Sequence, residues 1–351
     1  MENEHMMMNK ISRTDILKKY MISQYELVYS NEELKIYITK ISTHRGKCVV
    51  RSVDLAQKFI YDHFGKENHK YFVDSYLERA NLMENNSVFS HFVPIFQKKI
   101  LNNPGERVLE MVMPHSDFDI LKLASKANLQ IVHNWFTQCV NALSALEIND
   151  LFHGNLQPHN VLVDTDDRIM ITDLGKSLQL QNITEHLESL TTDGIQVELG
   201  FNTQSQAFAA PEILQYYYQQ HPVQERFQKP VIQSDVYSLA ICFWVVLNFI
   251  LKTQAIERKN FFDYFIKILP KIRLENHEEF EKMVQDTKVE NNQDFNSKFM
   301  MILSKMILKD KNKRPKFINI QKALQIYNEA SPEELHLILS GKSEKTYQKN
   351  Y

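Results

Sequence analysis

The sequence predicts an α+β fold in two lobes: a small mixed β-sheet lobe with one main helix, then a larger and mostly helical lobe. Three observations carry this. Short alternating apolar runs occupy residues 25 to about 113. After Pro114 the apolar residues recur every three or four positions, and beyond residue 212 the pattern is almost wholly helical. At 351 residues the chain is long enough to bury a core in each lobe. A β-rich front third ahead of a helical remainder places a cleft between two lobes.

Taken in order, residues 1–24 are a polar, Met-rich leader, and MENEHMMMNK contains no apolar signal core. ELKIYITKIS (33 to 42) and KCVVRSVDL (47 to 55) alternate as strands do, with turn-forming STHRG (42 to 46) between them. Residues 68 to 85 carry a helical stripe that includes Tyr71, Phe72, Tyr76 and Leu77. FVPIFQKKI (92 to 100) and RVLEMVM (107 to 113) are strand-like and joined by a turn containing NNPGE. Residues 129 to 150 form an amphipathic helix, and NVLVD and RIMITD two short strands. LAICFWVVLNFIL (239 to 251) falls short of the roughly 20 residues a bilayer span needs, so it reads as a buried core helix. The segment around 274 to 296 reads as a charged surface helix and loop, and residues 329–351 as a tail with a short helix.

Composition narrows the function. A formal charge of −2 gives no reason to expect nucleic acid or a membrane surface as partner. Three cysteines without a CxxC pair argue against zinc or a disulfide framework, and for a reducing intracellular compartment, cytoplasmic or nuclear.

Five strings then occur in order: HGNLQPHN (153 to 160), ITDLG (171 to 175), FAAPE (208 to 212), SDVYSLA (234 to 240) and KDKNKRPKF (309 to 317). Together they resemble HRDLKPEN, the DFG segment, the end of the activation segment, DVWSLG and DPxxRP of the eukaryotic-type protein kinase domain. The resemblance covers about residues 25–328, with a small lobe at about 25–113 and a large lobe at about 114–328. It implies an ion pair between Glu212 and Arg314 bracing the large lobe, and structural roles for His153 and Asp235. The HG pair is also similar to the HGD loop of small-molecule phosphotransferases, but FAAPE and SDVYSLA favour the protein-kinase branch.

Phosphoryl transfer needs positioned phosphates, metal to neutralise charge, and a group that accepts the proton of the attacking hydroxyl. Asn160 and Asp173 offer oxygen ligands of the kind Mg²⁺ takes, and by resemblance hold the two metal positions. Asn160 reads equally well as a structural residue of the loop, whereas for Asp173 the metal position outweighs a turn-forming role. The base position holds Asn155, a carboxamide without useful basicity, where general-base catalysis contributes roughly 10²–10⁴-fold. Gln157 stands for the loop lysine, and Gly154 for the loop arginine that would receive an activation-loop phosphate.

Further upstream, Tyr29, Asn31 and Leu34 stand where the family's phosphate loop has glycines, and Glu32 and Glu33 add negative charge. Arg51, with Ser52 as the one-residue alternative, stands for the strand lysine. Its expected partner is Glu78, which otherwise is a solvated helix charge. Thr191, Thr192 and Ser205 are candidate phosphorylation positions in an irregular activation segment. The basic run Lys309 to Lys316 reads as part of the RP motif rather than as a nucleic-acid patch.

The expected function is a pseudokinase: a regulatory or scaffolding module that binds other proteins and needs no cofactor. A weakly active atypical Ser/Thr kinase using ATP and Mg at low affinity is the alternative, and a nucleotide sensor without turnover a further one.

Overall fold

The structure is a computed structural model. It describes residues 25–30, 34–40, 47–54, 90–95, 97–103, 106–114, 116, 118–172, 203–218, 232–252, 254–287 and 293–342. The chain divides into two compact units, residues 1–117 and 118–351.

The first unit contains an antiparallel five-stranded sheet built from β1 (Tyr25–Ser30), β2 (Leu34–Lys40), β3 (Lys47–Asp54), β4 (Gln97–Asn103) and β5 (Glu106–Pro114). The strand order is β1-β2-β3-β5-β4. β5 lies inside the sheet, and Leu109, Met111 and Val112 are all buried, so it has apolar cover on both faces. β4 begins at Gln97 and not at residue 92. Pro94 accounts for the late start, because proline has no N–H to give a ladder. Phe92, Val93 and Ile95 are nevertheless buried. The 42 to 46 turn, the 68 to 85 helix and residues 1–24 lie outside the described residues.

The second unit opens with α1 (Ile120–Ala124) and α2 (Leu129–Ile148). Asn128 caps α2 by accepting from the Ile131 N–H at 2.9 Å. Val132, Trp135, Phe136, Cys139, Val140, Leu143 and Leu146 make its buried stripe at helical spacing. A 3-10 turn (Pro158–Asn160) leads into β6 (Val161–Val163), which pairs antiparallel with β7 (Ile169–Ile171). Among the described residues the α-helices that follow are α3 (Thr203–Phe208), α4 (Pro211–Tyr218), α5 (Ile232–Leu251), α6 (Ala255–Lys267), α7 (Leu269–Glu275), α8 (His277–Gln285), α9 (Gln293–Met306), α10 (Phe317–Gln325) and α11 (Pro332–Leu339).

α5 is the axis of this unit. Every residue from Ser234 to Asn248 is buried, which is why its sequence is apolar all round. By length and composition it could cross a membrane, yet 83% of its most apolar window is buried within the protein. Phe136 of α2 meets Phe243 of α5 and Phe299 of α9 edge-on, both at 5.1 Å between ring centres.

Two segments differ from the sequence reading. α8 is not simply a charged surface helix, since it buries His277, Phe280 and Val284. Its acidic residues Glu278 and Glu279 occupy the first turn, where the helix dipole favours them. Residues 203–208 are helical rather than irregular. Beyond residue 328, α11 closes a capping box between Ser331 and Glu334 and buries Leu335 and Leu339 where it packs on α9 and α10.

Candidate functional site

The loop from His153 to Asn160 is held by donors and acceptors from other segments. Asp235, in the first turn of α5, accepts the backbone N–H of His153 on one carboxylate oxygen. Its other oxygen accepts the Gly154 N–H at 2.7 Å. Asp235 is buried, and two charge-assisted bonds from neighbouring amides are what make a buried carboxylate tolerable there. Gly154 has φ 75°, the left-handed region that a side chain resists, so glycine suits the bend.

The fully buried His153 ring is bonded at both nitrogens. Nε2 lies 2.8 Å from the Thr172 carbonyl oxygen, and Nδ1 accepts the Asn155 N–H at 3.2 Å. One tautomer, with hydrogen on Nε2, satisfies both. His153 thereby ties the loop to the residue just after β7. The Asn160 side chain is buried and donates to the Asn155 carbonyl at 2.8 Å. The Asn160 carbonyl in turn accepts the Thr172 N–H at 2.9 Å.

Asn155 and Gln157 are half-buried, and among the described residues their carboxamides make no hydrogen bond. The scaffold side chains are engaged in holding the loop; these two are not. A carboxamide at 155 can bond to a ligand hydroxyl but cannot take its proton near neutral pH.

A second anchor comes from Asp119, which stands in none of the five strings by which the family is read. Asp119 caps α1, accepting the N–H groups of Leu121 (2.9 Å) and Lys122 (2.8 Å) on one oxygen. Its other oxygen lies 2.8 Å from Nδ1 of His159, in the 3-10 turn. Burial pushes the Asp119 carboxyl up, but the bonds from His159 and the Lys122 amide outweigh it and hold it below the ordinary value. The signal in the sequence is an Asp directly before an apolar helical run, the pattern of an N-cap.

The brace is a separate cluster. Arg314 and Glu212 form a bidentate pair, Nη1 to Oε1 at 2.7 Å and Nη2 to Oε2 at 2.8 Å. Ser234 donates to Glu212 at 2.8 Å, and Arg314 Nε donates to the Leu308 carbonyl at 2.7 Å. The guanidinium lies 4.8 Å from the Tyr237 ring centre. Burial raises the Glu212 carboxyl, and Arg314 more than offsets it, leaving it below the ordinary value. The Tyr237 hydroxyl sits 3.3 Å from His277 Nε2, while His277 Nδ1 sits 3.0 Å from Glu281. Burial, and then the positive charges of Arg314, Lys309 and Arg273, lower the His277 pKa to about 4.

The other predicted site residues fall in other elements or outside the described residues. Arg51 lies on β3, opposite Ile36 of β2 and Met111 of β5. Tyr29 falls on β1 beside an irregularity in its pairing with β2. Ser205 falls in α3. Glu78, Asp173, Asn31, Thr191 and Thr192 lie outside the described residues. Among the described residues no cluster of His, Cys, Asp or Glu is arranged to hold a metal ion.

A family profile described as protein kinase domain matches residues 49–326. The chain is also similar to human receptor-interacting serine/threonine-protein kinase 1, at 27% identity over 177 residues. That match covers 49% of this chain and 24% of the human protein.

Proposed function

The chain belongs to the protein kinase domain family, and we propose that it acts as a pseudokinase: a regulatory or scaffolding module that binds other proteins and does not turn over ATP. The observation that carries this reading is the state of the loop. Its anchoring residues are in place, and its base position holds Asn155. Gln157 removes a second functional group, a positive charge near a transferring phosphate. Arg51 on β3 and the bulky, glycine-free stretch around Tyr29 point the same way, since phosphates need close backbone approach.

Weak Ser/Thr phosphotransfer is the second reading. It is favoured by Asn160, buried at a position that suits a metal ligand, and by the similarity to a protein named as a serine/threonine kinase. A phosphate-transfer assay with labelled ATP, Mg²⁺ and generic protein substrates separates the two. The pseudokinase reading predicts the same background for wild type and Asp173→Ala. Transfer by wild type that disappears in Asp173→Ala establishes the second reading instead.

A further inference from the structure

α3 is six residues long, TQSQAF, and too short to persist by its own backbone bonds. Of its last carbonyls, that of Gln206 accepts the Ala209 N–H at 3.2 Å, a single bond of the 3-10 type. Arg273 of α7, fully buried, supplies donors to that end of the helix. Its Nη2 donates to the carbonyls of Ala207 at 2.6 Å and Gln206 at 3.3 Å, and its Nη1 to that of Ala209 at 3.1 Å. A cation at a helix C-terminus both satisfies the carbonyls and opposes the dipole. The guanidinium is itself seated between rings, 5.9 Å from the centre of Tyr237 and 5.8 Å from that of Phe280. The Phe208 ring packs on Phe265 of α6 at 4.9 Å, an apolar attachment beside the polar one.

We infer that Arg273 is a conformational latch: it keeps residues 203–208 helical and so keeps Ser205 out of the extended form in which proteases and modifying enzymes take a chain. This does not depend on whether the protein transfers phosphate. The latch joins α7, which carries none of the recognised motifs, to the stretch that leads into Glu212. Because one side chain bonds three carbonyls at the end of α3, its loss frees that end while the α5 core stays closed. A latch therefore differs from an ordinary core residue in where the damage appears.

Hydrogen exchange read by mass spectrometry on the full chain tests this, with Arg273→Met and Arg273→Lys beside wild type. Arg273→Met is expected to raise exchange in residues 203–210 by about tenfold or more, while residues 236–247 of α5 keep their protection. A protease that cuts after small residues should then cleave within Ala207–Ala210, since cleavage follows the opened population. Arg273→Lys keeps a buried charge but cannot span three carbonyls, so the same local rise is expected at smaller size. Wild-type exchange at 203–210 in both variants overturns the latch. So does a rise that spreads equally through α5, and if Arg273→Met does not fold, wild-type exchange in Arg273→Lys is decisive against it.

Discussion

The loop at 153–160 and the brace at Glu212 and Arg314 are built by the same device and differ in what it serves. In each, a buried carboxylate accepts donors from a segment far away in the chain: Asp235 from the loop amides, Glu212 from the guanidinium. In the brace, both partners are taken up by the architecture. In the loop, the side chains of His153, Asn160 and Asp235 are taken up, while those of Asn155 and Gln157 bond to nothing among the described residues. Architectural side chains are in place in both, while the loop's base and lysine positions hold Asn155 and Gln157.

Breaking the brace gives the largest expected effect. Arg314→Met leaves Glu212 as a buried carboxylate without its cation, at a cost of about 3–5 kcal/mol. Denaturant unfolding measures it, and a loss under about 1 kcal/mol would show that the pair braces nothing.

Acid probes the neighbouring His277. Above its ordinary value of 6.5, folded and unfolded chains both carry the neutral ring, and no penalty exists. As pH falls from 6.5 toward about 4, the unfolded chain takes up the proton first, so stability drops. The loss is on the order of 2 kcal/mol once solvent screening is allowed for. Glu212, held low, loses its contribution at lower pH, as the carboxylate takes up its proton. His277→Gln should flatten the upper part of that profile and leave the lower part. An unchanged slope between pH 6.5 and 4 would show that the ring does not titrate there.

Asp235→Asn sharpens the contrast from the loop side. An amide oxygen can still accept, but the charge that strengthens both bonds is gone, at about 2 kcal/mol. Exchange should rise at 153–160 while the Glu212 and Arg314 region keeps its protection. Equal loosening of both would mean the loop and brace are one unit.

The smallest effect belongs to Asn155→Asp, a change within about 0.5 kcal/mol in stability at a half-buried position. It should also restore no robust phosphotransfer, because Gln157, Arg51 and the glycine-free stretch remain. Strong activity from this single change would mean that the small unit holds ATP well.

What is legible in the sequence depends on what each residue bonds to. Glu212, Asp235 and Arg314 can be picked out because they stand in fixed strings of residue types. Arg273 cannot, since its partners are backbone carbonyls that any sequence supplies. The strands β2, β3 and β5 and the long helix α2 follow from periodicity and α5 from its unbroken apolar run, but β4 starts late because of Pro94. α3 escapes because six residues hold too little pattern and its stability comes from its neighbours. The acidic composition of α8 masks its burial, although His277, Phe280 and Val284 recur at the spacing of a buried face.

That the family scaffold survives without its turnover is tested most directly by thermal unfolding of the purified protein with ATP, with and without Mg²⁺, and with Asp173→Ala in parallel. A ligand that binds only the folded state raises its stability by mass action. No Mg-dependent rise is expected at millimolar ATP. A Mg-dependent rise that Asp173→Ala abolishes would establish a working nucleotide site, contradict a module that needs no cofactor, and favour the weak kinase and the nucleotide sensor together.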